Sequence, residues 1–325
     1  MNGRAIGGYL ELELPPARGE YYRGALGFQS ARAAFLALLT AGKPNAVWMP
    51  WYICDSMIEP LRMTGVPIKR YSINEHLQIS SSVSLLENEW LLYVNYFGLC
   101  DRNIDALLEQ FPRGQIVIDN AQAFYAEPRE CLANIYSPRK FFGVPDGGYL
   151  LAMADIPKPD VVDEHSVARC NHLLKRLDGS PEAGYADYQH AENSLCGQSP
   201  LHMSQLTQRI LRSIDYAAVR TRRYENFAYL NQHLASRNRF NFASTEKATP
   251  LCYPLFGAER GTREKLIRCR IYTPSYWPEL ADNPLVPAFE KSLQRSCLLL
   301  PCDQRLTRQD MDGMIEVLLE RITRS

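Results

Sequence analysis

The sequence predicts an α/β protein of two domains. The larger, residues 1–205, has a mostly parallel sheet between helical layers, and a smaller C-terminal α+β domain occupies residues 206–325. Three observations predict it. Strand-like and helical segments alternate from Ser30 to Leu150, the pattern of strand–helix–strand units joined by right-handed crossovers. The strand-like runs are short and apolar, as strands covered on both faces must be. At 325 residues the chain is also longer than one core usually needs.

Ser30–Leu39, SARAAFLALL, reads as an apolar helix entered from a small-residue turn. Ala46–Met49 is a short strand ended by Pro50, Cys54–Met63 is helical, and Val66–Tyr71 (VPIKRY) is the next strand. Trp90–Tyr96 (WLLYVNY) is another strand, followed by a helix over Ile104–Gln110. Gln115–Asp119 (QIVID) is an apolar run that ends in an acid, and Gly147-Gly148 turns into one more apolar strand. Residues 155–200 are polar, rich in His, Asp and Glu, with few strand signals. From Met203 to Ser236 there is neither Pro nor Gly, and one long helix is expected. Its apolar positions Leu206, Ile210, Ile214 and Ala217 step by three and four. The last third carries strand-like segments at Leu251–Phe256 and Cys297–Pro301 and a closing helix over Gln309–Ile322.

Composition narrows the function classes. Lys plus Arg number 36 and so do Asp plus Glu, which makes the formal net charge zero. That balance gives no support to a nucleic-acid or anionic-membrane binder, both of which depend on positive surface. No apolar run approaches the roughly 20 residues that span a bilayer. The opening MNGRAIGGYLELELPP has no signal-peptide core, so a cytoplasmic protein is expected. Nine cysteines at irregular intervals without a CxxC fit free thiols rather than a disulfide framework. No histidine sits at zinc-finger spacing from a cysteine, and His165 and His172, seven apart, lack a third ligand. No metal site is expected.

Three segments carry chemistry. The strand QIVID ends in Asp119, followed by Asn120, Ala121 and Gln122; ligands of open α/β sheets bind beyond such strand ends. Lys140 follows Ser137-Pro138-Arg139 and is bracketed by aromatics, with Asp146-Gly147-Gly148 after it. At Gln29–Ala34 a turn meets a helix N-terminus, a place suited to phosphate. Each feature alone is commonplace: a strand-end acid often caps a turn, and a lysine beside an arginine is usually solvated. Together, in this order, they match the needs of pyridoxal phosphate. Its aldehyde condenses with a lysine amine, and a buried carboxylate keeps its pyridine nitrogen protonated.

These same residues resemble those of the DegT–DnrJ–StrS sugar aminotransferases, a family with the fold type I architecture of pyridoxal-phosphate enzymes. VIDNAQAF is similar to the family's strand-end Asp-x-Ala-Gln. SPRKFFGVPDGGYLL is similar to its lysine segment, where Gly-Gly follows the lysine by seven and eight residues, as Gly147 and Gly148 follow Lys140. VNYFGL, Pro50 with Gly65 fifteen residues on, and LLLPCDQRLTRQDMDGMIEVL extend the likeness over nearly the whole chain. The resemblance implies that Lys140 holds pyridoxal 5'-phosphate as a Schiff base and shuttles the proton. By the same likeness Asp119 pairs with the pyridine nitrogen, Gln122 contacts the ring hydroxyl region, and Ala31 and Arg32 form the phosphate turn. It further implies an aminotransferase acting on a keto sugar, nucleotide-linked, with glutamate as amino donor, and a homodimer with its sites at the subunit interface. The family's dehydratases lack this lysine, so Lys140 favours transamination.

The chain departs from the family at the phosphate and ring positions. Ala31-Arg32 stands in place of the usual Gly-Thr, where a guanidinium fork can bind phosphate instead of a hydroxyl. Ile135 takes the place of the usual serine, with Ser137 nearby. The ring-stacking aromatic falls at Cys54, with Trp51 and Tyr52 beside it as substitutes. Gln198-Ser199-Pro200 stands where a partner-subunit Asn usually reaches the phosphate. These changes keep a second reading open, a non-catalytic or weakly cofactor-binding relative that retains the fold. Tyr96, together with Tyr272 and Tyr276 of the aromatic segment Ile271–Pro278, is a candidate wall of the substrate cleft.

Overall fold

A computed structural model describes residues 6–242 and 249–319. Leu26–Phe28 (β1) leads into Ala31–Gly42 (α1), whose N-cap Ser30 accepts a hydrogen bond from Ala33 N–H at 3.1 Å. Ala46–Pro50 (β2), Asp55–Thr64 (α2), Ile68–Tyr71 (β3), Glu89–Val94 (β4), Asp101–Gln110 (α3) and Ile116–Asn120 (β5) follow. Ala133–Tyr136 (β6) and Gly148–Ala152 (β7) complete the sheet. The seven strands lie in the order β1-β7-β6-β5-β4-β2-β3. From β3 to β6 the pairs are parallel, while β7 runs antiparallel to both its neighbours. Every residue of β4 and β5 is buried, which is why these strands read as continuous apolar runs without alternation.

Three helices fill the polar stretch after the sheet: Ser166–Arg169 (α4), Asn171–Asp178 (α5) and Pro181–Asn193 (α6). The long helix expected over Met203–Ser236 is instead two, Gln205–Arg212 (α7) and Tyr216–Leu234 (α8). The break has a local cause. Ser213 Oγ donates to Ile210 O at 2.7 Å, and Asp215 Oδ1 accepts from Ala218 N–H at 3.0 Å, capping a new helix. Packing divides at the same place. Leu211 joins Phe124 and Phe141 beside the large sheet, whereas Phe227, Leu230 and Leu234 pack in a separate cluster with Leu298 and Leu300. That cluster rests on Cys252–Phe256 (β8), with Thr262–Arg268 (α9) and Ala288–Ser296 (α10) between it and its antiparallel partner Cys297–Pro301 (β9). Arg308–Leu319 (α11) closes the fold; residues 320–322 of the expected closing helix lie outside the described residues. Among the described residues no helix is long and apolar enough to cross a membrane.

Candidate active site

The strand order reverses between β2 and β4: β2 passes to β3 on one side, and the later strands are added on the other. Loops leaving the carboxyl ends of strands beside such a switch point diverge and open a crevice. A cavity of about 460 Å³ lies here, lined by Ala31 and Arg32 of α1, Cys54 after β2, Asp119 of β5, and Ser137 and Lys140 after β6.

Asp119 is 3% exposed, and its Oδ1 accepts one hydrogen bond, from Ala121 N–H at 2.9 Å. Burial pushes its pKa above the ordinary carboxyl value, while the charge of Lys140 and the Ala121 bond pull it back. Lys140 ends a single 3₁₀ turn, Pro138–Lys140, and makes no ion pair or side-chain hydrogen bond among the described residues. Cys54 is also within reach of both charges. Its thiol is pushed up by burial, drawn down by Lys140 and raised again by Asp119.

The Gly-Gly pair presses the lysine segment against the start of α1. Gly147 N–H donates to Gln29 O at 2.7 Å. A Cβ on Gly148 would lie 2.2 Å from Ser30 C and 2.4 Å from Ala31 N, so only glycine fits there. Helix α1 thus points its N-terminus at the cavity. The first-turn N–H groups of Ala31 and Arg32 have no intrahelical acceptors, and an anion is favoured beside them. The Arg32 side chain is engaged elsewhere, since its Nη1 lies 2.7 Å from Glu59 Oε2. Ser137 is buried on the wall and its hydroxyl makes no hydrogen bond among the described residues.

Three other expected residues do not line the cavity. Gln122 Oε1 accepts from Phe97 N–H at 2.9 Å, holding the left-handed turn at Phe97 (φ 59°) rather than facing a ligand. Tyr96 O–H donates to Tyr52 O at 2.8 Å, and the Tyr52 ring meets Trp277 edge-on at 4.3 Å. Both tyrosines are fully buried behind the Cys54 loop. Tyr272 and Tyr276 do line the cavity. The Tyr272 hydroxyl donates to Glu182 of α6, and Tyr276 stacks on Trp277 with centroids 5.3 Å apart. Among the described residues no group of three or more His, Cys, Asp or Glu side chains is placed to hold a metal ion.

No family model matches the sequence, and no curated protein matches it. Solved structures do. The sugar aminotransferase CalS13 from Micromonospora echinospora superposes with a TM-score of 0.65 at 17% identity, covering 91% of this chain and 87% of that one. DesV of S. venezuelae gives 0.64 at 19% identity, over 93% and 85% of the two chains. A DegT DnrJ EryC1 StrS aminotransferase from Brucella abortus gives 0.60 at 14%, over 91% and 85%. The chain has the fold of these aminotransferases. The α/β architecture implied by the resemblance is therefore the one observed.

The structure also brings to the cavity residues that the sequence did not single out. Tyr188 and Glu192 of α6 come from the polar stretch, where α6 carries no clear apolar stripe, and His172 of α5, weighed in the sequence only as a metal ligand, joins them. Glu192 pairs with Arg139, next to the lysine. Arg223 of α8 lies under the cavity, 2% exposed. Its guanidinium donates to Gln304 Oε1 (2.9 Å), Leu251 O (3.1 Å) and Phe141 O (3.3 Å), and stacks on the Phe141 ring. In the sequence Arg223 is indistinguishable from Arg220 and Arg222; only packing separates them.

Proposed function

We propose that the protein is a pyridoxal-phosphate-dependent aminotransferase that moves an amino group from glutamate to a keto sugar carried on a nucleotide. What carries this reading is the convergence of Lys140, Asp119 and the α1 N-terminus on one cavity. The residues fit the cofactor. Asp119 is a buried carboxyl with no cation bonded to it, and its raised pKa marks a burial cost that a protonated ring nitrogen would relieve. Lys140 offers an amine with no competing partner, and the α1 N-terminus with Ser137 offers donors to a phosphate.

When bound, pyridoxal phosphate supplies an aldehyde that condenses with amines and a ring that withdraws electrons from the adjacent carbon. Lys140 Nζ would hold it covalently and, once freed by the donor's amine, would be the base that moves the proton from the donor's α-carbon to the cofactor side. Asp119 would keep the proton on the ring nitrogen. Ala31 and Arg32, at the α1 N-terminus, and the Ser137 hydroxyl would hold the phosphate. Cys54 would be a soft, largely apolar neighbour of the ring, and Tyr272 and Tyr276, which line the cavity, would face the sugar. The working unit is a homodimer: Ile6, Tyr9, Leu10 and Leu12 project fully or largely exposed, an apolar strip that a second copy would cover. Neither nucleic acid nor membrane is a partner, and the cytoplasm is the setting.

The test is a titration of the purified protein with pyridoxal phosphate, followed by a panel of nucleotide keto sugars with glutamate as donor. A visible absorbance band, a borohydride-stable adduct on Lys140 and amine transfer to one of the sugars are expected. The pairing of Arg32 with Glu59 favours the second reading, a relative that keeps the fold and binds cofactor poorly. Absence of any adduct at saturating cofactor would decide for it.

A further inference from the structure

The turn at the start of α1 contributes one cation to the cavity wall, Arg32, and Glu59 of α2 already holds it. Arg32 and Glu59 are both largely buried, at 14% and 19% side-chain exposure, with Nη1 2.7 Å from Oε2. The other oxygen, Glu59 Oε1, accepts from Gly197 N–H at 2.6 Å. Gln29, in the same turn, grips the same segment twice. Its Nε2 donates to Ser199 O at 2.6 Å and its Oε1 accepts from Leu201 N–H at 2.8 Å. Phe35, Leu38, Ile58 and Leu61 already join α1 and α2 through the core, so the ion pair is not what holds the helices together. What it changes is charge: a site suited to a dianion has its own cation cancelled by a fixed carboxylate.

We propose that Glu59 sets the affinity of this site for a phosphate dianion by holding Arg32 in a neutral pair beside the α1 N-terminus. This deepens the aminotransferase reading and rests on it for the identity of the phosphate. The carboxylate opposes a bound phosphate through space, and it competes with it for the guanidinium.

Charge-neutralising variants test this, read as binding rather than turnover. Glu59→Gln keeps an oxygen to accept the Gly197 N–H. It is expected to bind pyridoxal 5'-phosphate at least about tenfold more tightly, and inorganic phosphate should compete at correspondingly lower concentration. Pyridoxal, which lacks the phosphate, should bind Glu59→Gln as it binds the parent. Arg32→Gln leaves Glu59 alone and should weaken the phosphate form by a similar factor. The double variant exchanges one neutral pair for another, so the two opposite charge effects should cancel and return it to within about threefold of the parent. Unchanged or weaker phosphate binding in folded Glu59→Gln overturns the proposal, as does a double variant that tracks either single. Should the parent form no adduct with pyridoxal or its phosphate, the cofactor reading fails by itself. Inorganic phosphate, measured directly by calorimetry, still decides the role of Glu59.

Discussion

Replacing Asp119 by Asn removes a charge while conserving shape. The amide oxygen can still accept the Ala121 N–H bond now made at 2.9 Å, so little packing is lost. The electrostatic effect is large by comparison. A unit charge pair at roughly 3 Å with an effective dielectric near 20 is worth about 5 kcal/mol. Losing somewhat more than half of that in the transition state already reaches the 2.7 kcal/mol or so that corresponds to a hundredfold in rate. Turnover of Asp119→Asn with glutamate and keto sugar is therefore expected to fall at least about a hundredfold, with cofactor occupancy falling much less. Stability should move the other way. Burial raises the pKa of Asp119 in the folded state above its ordinary value of 3.8. The folded chain thus holds this proton more tightly than the unfolded chain does. That contribution is fully present below the unfolded value and is lost as pH rises through the folded pKa. Without cofactor, the parent should lose stability over this window and the Asn variant should not, so at neutral pH the variant melts at the same temperature or higher. Circular-dichroism melts across pH, and turnover per folded molecule on the same preparation, check both halves. Near-normal turnover with a lowered melting temperature would refute the reasoning and leave Asp119 a turn cap.

Lys140→Ala should abolish the absorbance band, the borohydride-stable adduct and amine transfer. It should leave stability within about 0.5 kcal/mol, because the exposed Lys140 makes no ion pair or side-chain hydrogen bond among the described residues. Gly148→Ala drives a Cβ to 2.2 Å from Ser30 C and 2.3 Å from Ser30 O, both backbone atoms. A loss of roughly 3 kcal/mol or more is expected in denaturant melts, with weakened phosphate binding in whatever folds; an unshifted midpoint would mean that α1 does not sit against the lysine segment. Sedimentation at micromolar concentration should give a dimer, and a monomer there removes the homodimer model. Leu10→Glu with Leu12→Glu should shift that equilibrium toward monomer if the exposed N-terminal strip is covered by the second copy.

Much of the parallel sheet was legible because its central strands β4 and β5 are buried along their whole length. β4 and β5 present apolar side chains to both faces, so their composition alone marks them. The lysine, the strand-end acid and the glycine pair were legible for a different reason: their spacing is local, and the close approach of Gly148 to Ser30 forbids any other residue. β6 was not legible. It is four residues long and contains Asn134, which folds back to bond Arg129 N–H and O at 3.0 and 2.8 Å, a loop-like signal inside a buried strand. The break between α7 and α8 was equally hidden, since a helix lacking Pro and Gly can still be ended by Ser213 and Asp215 competing for its backbone. Periodicity and spacing are properties of neighbours in the chain, and the sequence by itself determined what depends on them: the α/β class, and the order in which the turn before α1, the strand-end acid and the lysine follow one another. Which polar side chains face the cavity depends on contacts between segments far apart in the chain. Only the tertiary structure could turn Arg32 to Glu59 and bury Arg223 beneath the site. The same long-range packing aimed Gln122 at Phe97, behind the wall it was expected to form.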